Sequence, residues 1–187
     1  MEAVGSLLAT FGPSEITIQA IAEAAKMPTA TVYHFFPSAE AALVAQARSY
    51  IDHFDAMARE ETPVEERTSW PHAWRCATER GREVYTSDVA CMRLLLGADV
   101  PRDVQMVDSD FNIRLGQIIS TKIERETFLL PVAGFAEACT NAIEISDTFW
   151  RMSFQRTGTI TDAYFEESLR AVLAYMRAYL PDDLKYR

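Results

Sequence analysis

Thr17-Ile18-Gln19-Ala20-Ile21-Ala22-Glu23-Ala24-Ala25-Lys26-Met27-Pro28-Thr29-Ala30-Thr31-Val32-Tyr33-His34-Phe35-Phe36-Pro37-Ser38-Ala39-Glu40-Ala41-Ala42-Leu43 is the stretch on which the fold turns. It reads as three helical pieces with very short breaks. Thr17 can cap the first, because its hydroxyl can accept an orphan backbone N–H at a helix start. Ile18, Ile21, Ala22 and Ala25 then fall at i, i+3, i+4 and i+7, one face of a helix. Lys26-Met27-Pro28 breaks it, since Pro28 has no N–H and restricts Met27. A second short helix is predicted from about Thr29 to Phe35, burying Val32 and Phe36 and showing Thr29, Thr31, Tyr33 and His34 outward. Pro37 ends it and Ser38 caps a third. Two short helices across a tight turn, the second with small polar tips, make a helix-turn-helix pattern.

The stretch resembles the DNA-binding domain of the TetR family of one-component transcriptional regulators. The residues that carry the resemblance are Gly12, Thr17, Ile21, Ala22, Ala25, Thr31, Val32, Tyr33, Phe36, Ser38, Glu40 and Leu43, which agree in type and in spacing. Three positions depart from the family pattern. Lys26 stands where glycine is common, so a left-handed backbone there would cost roughly 1 kcal/mol. Pro28 replaces a Ser or Thr cap. Ala39 stands where a phosphate-contacting lysine is common.

The chain has 187 residues, 49% of them hydrophobic, enough for a sizeable core. No clean β alternation is present, so an all-α chain is expected. The net charge is −9. Residues 1–48 hold Lys26 and Arg48 against Glu2, Glu15, Glu23 and Glu40. DNA affinity rests largely on phosphate neutralisation, so weak DNA binding with a shallow salt dependence is expected. Against the family pattern, Met1 falls inside the first helix, and residues upstream of that point often form a basic arm on DNA. Cys76, Cys91 and Cys139 have no CxxC spacing, and His34, His53 and His72 have no ligand spacing, so neither a disulfide frame nor a metal site is expected. No nucleophile–base constellation or phosphate loop suggests an enzyme, and no cofactor is expected. No signal peptide or membrane span is legible, and a reducing cytoplasm suits the scattered thiols.

Around the opening stretch, the rest of the chain is predicted to be helices and the segments that connect them. Met1 to Phe11 ends a first helix at Gly12-Pro13. Ser38 to Glu60 is a long helix with Leu43, Ala47, Tyr50, Phe54 and Met57 along one seam. Glu60 to Arg67 reads as a solvated connector. Ser69 caps a helix whose common face is Trp70, Trp74, Ala77, Thr78, Gly81 and Tyr85. Asp88 to Leu96 is a short helix stopped by Gly97, and Pro101 starts a long one that runs to Phe128. Val132 to Arg156 is another, with Gly158 as its stop. Thr161 caps the last, which Pro181 ends. The expectation is nine helices: a helix-turn-helix domain over residues 1–48, and a larger helical domain over 49–187.

The resemblance implies a role for each half. The first would lay its second short helix in the major groove, presenting Thr29, Ala30 and Thr31 to base edges. Tyr33, His34, Thr17 and Lys26 would reach phosphates. The second half would bind a small effector and form a homodimer through the last two long helices. Two such units would read a near-palindromic double-stranded operator. Candidate effector contacts are Trp74, Met92, Phe111, Phe135, Cys139 and Phe149, with Asn112 to orient a polar group and Glu144 and Asp147 as alternatives. Each of these reads equally well as core. Acidic candidates favour a cationic or hydroxylated ligand. The leading expectation is a ligand-responsive regulator that represses; the alternative is a helical dimer that binds a ligand or a protein and has lost useful DNA affinity.

Overall fold

A computed structural model describes residues 1–187. The nine expected helices are present: α1 (Glu2–Leu8), α2 (Ile18–Ala25), α3 (Thr29–Phe35), α4 (Ala39–Arg59), α5 (Trp70–Ser87), α6 (Val89–Leu96), α7 (Arg102–Glu126), α8 (Phe135–Thr157) and α9 (Asp162–Met176). The Thr17 hydroxyl accepts from Ala20 N–H at 3.1 Å and Ser38 Oγ from Ala41 N–H at 3.1 Å, so both predicted caps form. Ile18, Ile21, Ala22 and Val32 are buried, while Phe36 is half-buried.

The turn between α2 and α3 shows what Lys26 does. Its backbone is left-handed, φ 53° and ψ 42°. Met27 N–H donates to Ala22 O and Lys26 N–H to Glu23 O, the paired bonds that close a helix on a left-handed residue. Lys26 is the one non-glycine residue with positive φ. Its Cβ crowds the backbone there, at a cost of about 1 kcal/mol. Lys26→Gly should therefore raise folding stability by about 1 kcal/mol in urea denaturation. An unchanged or lower midpoint would mean the turn is not strained. Pro28 precedes α3 with no side-chain cap bond.

Three expectations need correction. The predicted helix from Val132 begins at Phe135, because Gly134 is itself left-handed at φ 73° and cannot belong to the helix. Thr161 stands at the start of α9 but makes no cap bond. Its hydroxyl lies 3.4 Å from Ser153 Oγ, which also accepts from Thr161 N–H and so ties the α8–α9 turn together. The 60–67 connector is not simply solvated: Thr62 is buried, Arg67 Nε donates to its carbonyl, and Arg80 pairs with Glu66. The boundary at residues 48 and 49 falls inside the continuous helix α4. The core also ignores that boundary, since one cluster joins Val4, Leu8 and Leu43 to Leu94, Leu96 and Phe111.

α7 and α8 form the frame of the larger half. They pack side by side, with Gly116 buried against Thr140 and Ala136. α9 folds back on α8 after Gly158, and Phe165, Leu169 and Val172 of α9 are buried. A second core cluster sits at the far end, around Trp70, Phe135, Cys139 and Met176. The C-terminal residues close that end. Phe128 N–H donates to Lys185 O, Arg187 N–H to Glu126 O, and Trp70 Nε1 to Pro181 O.

Candidate functional site

Two sites were expected, one on α2 and α3 and one inside the larger half. At the first, α3 carries Thr29 and Thr31 half-buried and Ala30, Tyr33 and His34 exposed. Lys26 is exposed one turn away across the break, and Thr17 is exposed at the start of α2. The seven predicted DNA-contact residues thus lie on α3 and on the two ends of α2. Phe35 was not singled out from the sequence. It is 63% exposed, with its ring 5.6 Å from that of His34. A large apolar ring left in water at the end of α3 has no role in the core.

The second site is a cavity of about 190 Å3 between α4, α5, α7 and α8. The predicted face of α5 forms one wall: Trp70, Trp74, Ala77, Thr78, Gly81 and Tyr85 all line it. Of the predicted effector residues, Trp74, Phe111 and Asn112 line it too. Met92, Phe135 and Cys139 do not. Met92 lies in the core shared with α1 and α4, and Phe135 and Cys139 lie in the far cluster. All three are apolar residues at helical spacing, which the sequence cannot assign to a core or to a cavity wall.

Phe54, on the expected seam of α4, and Trp150 of α8 were not foreseen as wall residues. Both pack on Tyr85: the Phe54 ring is tilted against it with centroids 4.9 Å apart, and the Trp150 ring meets it edge to face at 5.7 Å. Sequence reasoning also missed Tyr186, which reaches the cavity because its strand-like segment bridges to Thr127. No local pattern encodes that long-range pairing.

The polar groups divide between two ends. Asn112 and Lys122 lie ten residues apart on α7, about 15 Å along the helix axis. At the Lys122 end each charged group has a hydrogen-bonding partner. Arg80 pairs with Glu66 at 2.5 Å, Lys122 Nζ donates to Glu60 O at 2.5 Å, and Glu126 accepts from Thr62 N–H and Arg125. Burial lowers the Lys122 pKa and pushes Tyr186 up to about 12. At the Asn112 end, Asn112 Nδ2 donates to Glu144 Oε1 and Asp147 Oδ2, both at 3.0 Å. Burial pushes the Asp147 carboxyl up to about 6, opposed by the Asn112 hydrogen bond and reinforced by the Glu144 charge. Asp108, behind it in a separate polar cavity with Arg151, is pushed up to about 8 by burial and then by Asp147. No three His, Cys, Asp or Glu side chains converge as a metal set.

Specific contacts link the two sites. Phe54, Met57 and Ala58 of α4 form part of the cavity wall, and the same helix begins at the end of α3. The Tyr50 hydroxyl donates to Asp88 Oδ2 at 2.9 Å, tying α4 to the start of α6. Asp55 accepts from Arg59 and Arg114, which hold its carboxyl below the usual range. On the other side, Arg93 Nη1 donates to Leu8 O at 2.6 Å and Ser14 Oγ to Asp99 Oδ2 at 2.6 Å. The larger half therefore holds α1 and α4 together. No helix is long and apolar enough to cross a membrane.

Comparison with known proteins gives the same architecture. Residues 2–45 match the family of bacterial regulatory proteins, tetR family. A TetR-family transcriptional regulator from Streptomyces coelicolor superposes with a TM-score of 0.68 at 20% identity, covering 96% of this chain and 96% of that one. A TetR transcriptional regulator from Rhodococcus sp. RHA1 superposes with a TM-score of 0.61 at 19% identity, covering 94% and 91%. No curated protein matches the chain in sequence.

Proposed function

Because this chain carries the DNA-binding domain of the tetR family of bacterial regulatory proteins, we propose that it is a transcriptional regulator that binds a near-palindromic operator as a homodimer and is released from it by a small molecule. The observation that carries the reading is that α4 serves both sites: it follows α3 directly and lines the cavity with Phe54, Met57 and Ala58. A ligand that fills the cavity presses on α4 and so changes the spacing of two α3 helices in a dimer. Only a ligand that binds one spacing better than the other can shift that equilibrium.

The dimer would form on α8 and α9. α9 packs chiefly on α8, and its outward residues Ala163, Arg170 and Ala174 are exposed. Small side chains there allow close approach of a second copy, in the four-helix arrangement two helical hairpins make. Two α3 helices about one DNA turn apart would then read two half-sites. Thr29, Ala30 and Thr31 would meet base edges, with thymine methyls as their natural partners, and Tyr33, His34, Thr17 and Lys26 would meet phosphates.

The charge balance favours the second reading, a dimer that binds a ligand or a protein without useful DNA affinity. Gel shifts with DNA flanking the chain's own gene, run across a salt series, decide between them. We expect a specific shift with a shallow dependence, a log–log slope no steeper than about −4, since Lys26 and Arg48 offer at most two cations per protomer. No specific shift supports the second reading. A slope worth many ion contacts contradicts the electrostatic account.

A further inference from the structure

Resting on the reading of the cavity as an effector site, we infer that its ligand is a lipophilic organic cation, an amine or ammonium on an apolar body, whose charge sits against Asp147. The cavity is walled by aromatic rings, and one anionic group opens into it without a cation. Asp147 is 7% exposed and lines the cavity. Its one hydrogen bond comes from Asn112 to Oδ2, leaving Oδ1 without a partner. It belongs to none of the ion pairs of the chain. The Tyr85 hydroxyl, on the same wall, also lacks a hydrogen-bond partner within the chain and feels the Asp147 charge. A buried carboxylate needs a partner to stay ionised. Burial pushes this one up to about 6, so an approaching cation restores what burial removes.

The surroundings set the sign of the charge. Around Asp147 stand Glu144 and Asp108 against the single Arg151, so the local balance is negative. At the far end the basic residues Arg80 and Lys122 already have Glu66 and the Glu60 carbonyl. A cation beside Asp147 displaces no partner of that carboxylate's Oδ1. The rings of Tyr85, Phe111 and Trp150 line the same space, and aromatic faces attract a desolvated cation. Trp150 Nε1 is held by Ser168 Oγ at 3.2 Å, so its ring offers a face and not a donor.

The test is isothermal titration of the full chain with three probes sharing one ring system: 1-naphthylmethylammonium, 1-naphthylmethanol and 1-naphthoate. The ammonium should bind at least about tenfold tighter than the alcohol, and the carboxylate more weakly than either. Asp147→Asn should lower ammonium affinity at least about tenfold and leave the alcohol within about twofold. Equal or tighter binding of the alcohol, an unaffected ammonium in the variant, or no binding by any probe overturns the inference. If the variant does not fold, the comparison on the unaltered chain decides alone. Binding of the alcohol without a preference for the ammonium sinks the cation but leaves a ligand switch standing. Tight ammonium binding with no effect on the DNA shift does the reverse.

Discussion

Gly116→Ala should destabilise the chain by about 3 kcal/mol, although alanine is the better helix former. Gly116 lies in the middle of α7, where an exposed alanine would gain about 0.5–1 kcal/mol. Here a Cβ would fall 2.7 Å from Thr140 N and 2.9 Å from Ala136 O, both backbone atoms of α8. Backbone cannot turn aside as a side chain can, so the two helices must part. Their separation would loosen the rest of the α7–α8 contact, including the Asn112 bonds to Glu144 and Asp147. Urea denaturation measures the effect. A midpoint equal to or above that of the unaltered chain would mean that α7 and α8 do not approach this closely. The cost comes on top of a total stability that for a domain of ordinary size is about 5–15 kcal/mol.

Ala30→Asp should weaken specific DNA binding by about 100-fold, or nearly 3 kcal/mol, with folding stability unchanged or slightly higher. Ala30 is exposed in the first turn of α3. An aspartate there suits the positive end of the helix, by about 0.3–1 kcal/mol. The same charge would face phosphates and base edges, where like charges cost several kcal/mol. The opposed signs make the variant informative: a general folding defect would lower both quantities. Gel shifts and thermal denaturation on one preparation check it. Equal affinity for DNA in the variant would remove α3 from the interface.

The two sites differ in how far the sequence foretold them. The helix-turn-helix was legible because its signals are local. Thr17 and Ser38 cap as their positions predict, Pro28 breaks the chain where a proline must, and the strain expected at Lys26 appears as a left-handed backbone. The cavity was half legible. The stripe Trp70, Trp74, Ala77, Thr78, Gly81 and Tyr85 was readable as one face of a helix, but helical spacing does not say whether a face meets a neighbour or a space. Hence Trp74 and Phe111 reach the cavity, while Met92, Phe135 and Cys139, chosen by the same rule, are packed in the core clusters behind its wall. Tyr186 and the neutralised pairs at the Lys122 end depend on contacts between distant segments, such as Arg80 with Glu66 and Arg187 with Thr127. Gly116 gave no signal, because its importance lies in the helix opposite it.

The central claim is that α3 reads DNA in pairs. Selection of bound fragments from a random DNA pool, followed by footprinting of the enriched sequence, tests it most directly. Paired α3 helices should give a protected near-palindrome whose half-sites lie about one helical turn apart, lost in Ala30→Asp. Failure to enrich any sequence, or protection of a single unpaired half-site, would contradict it.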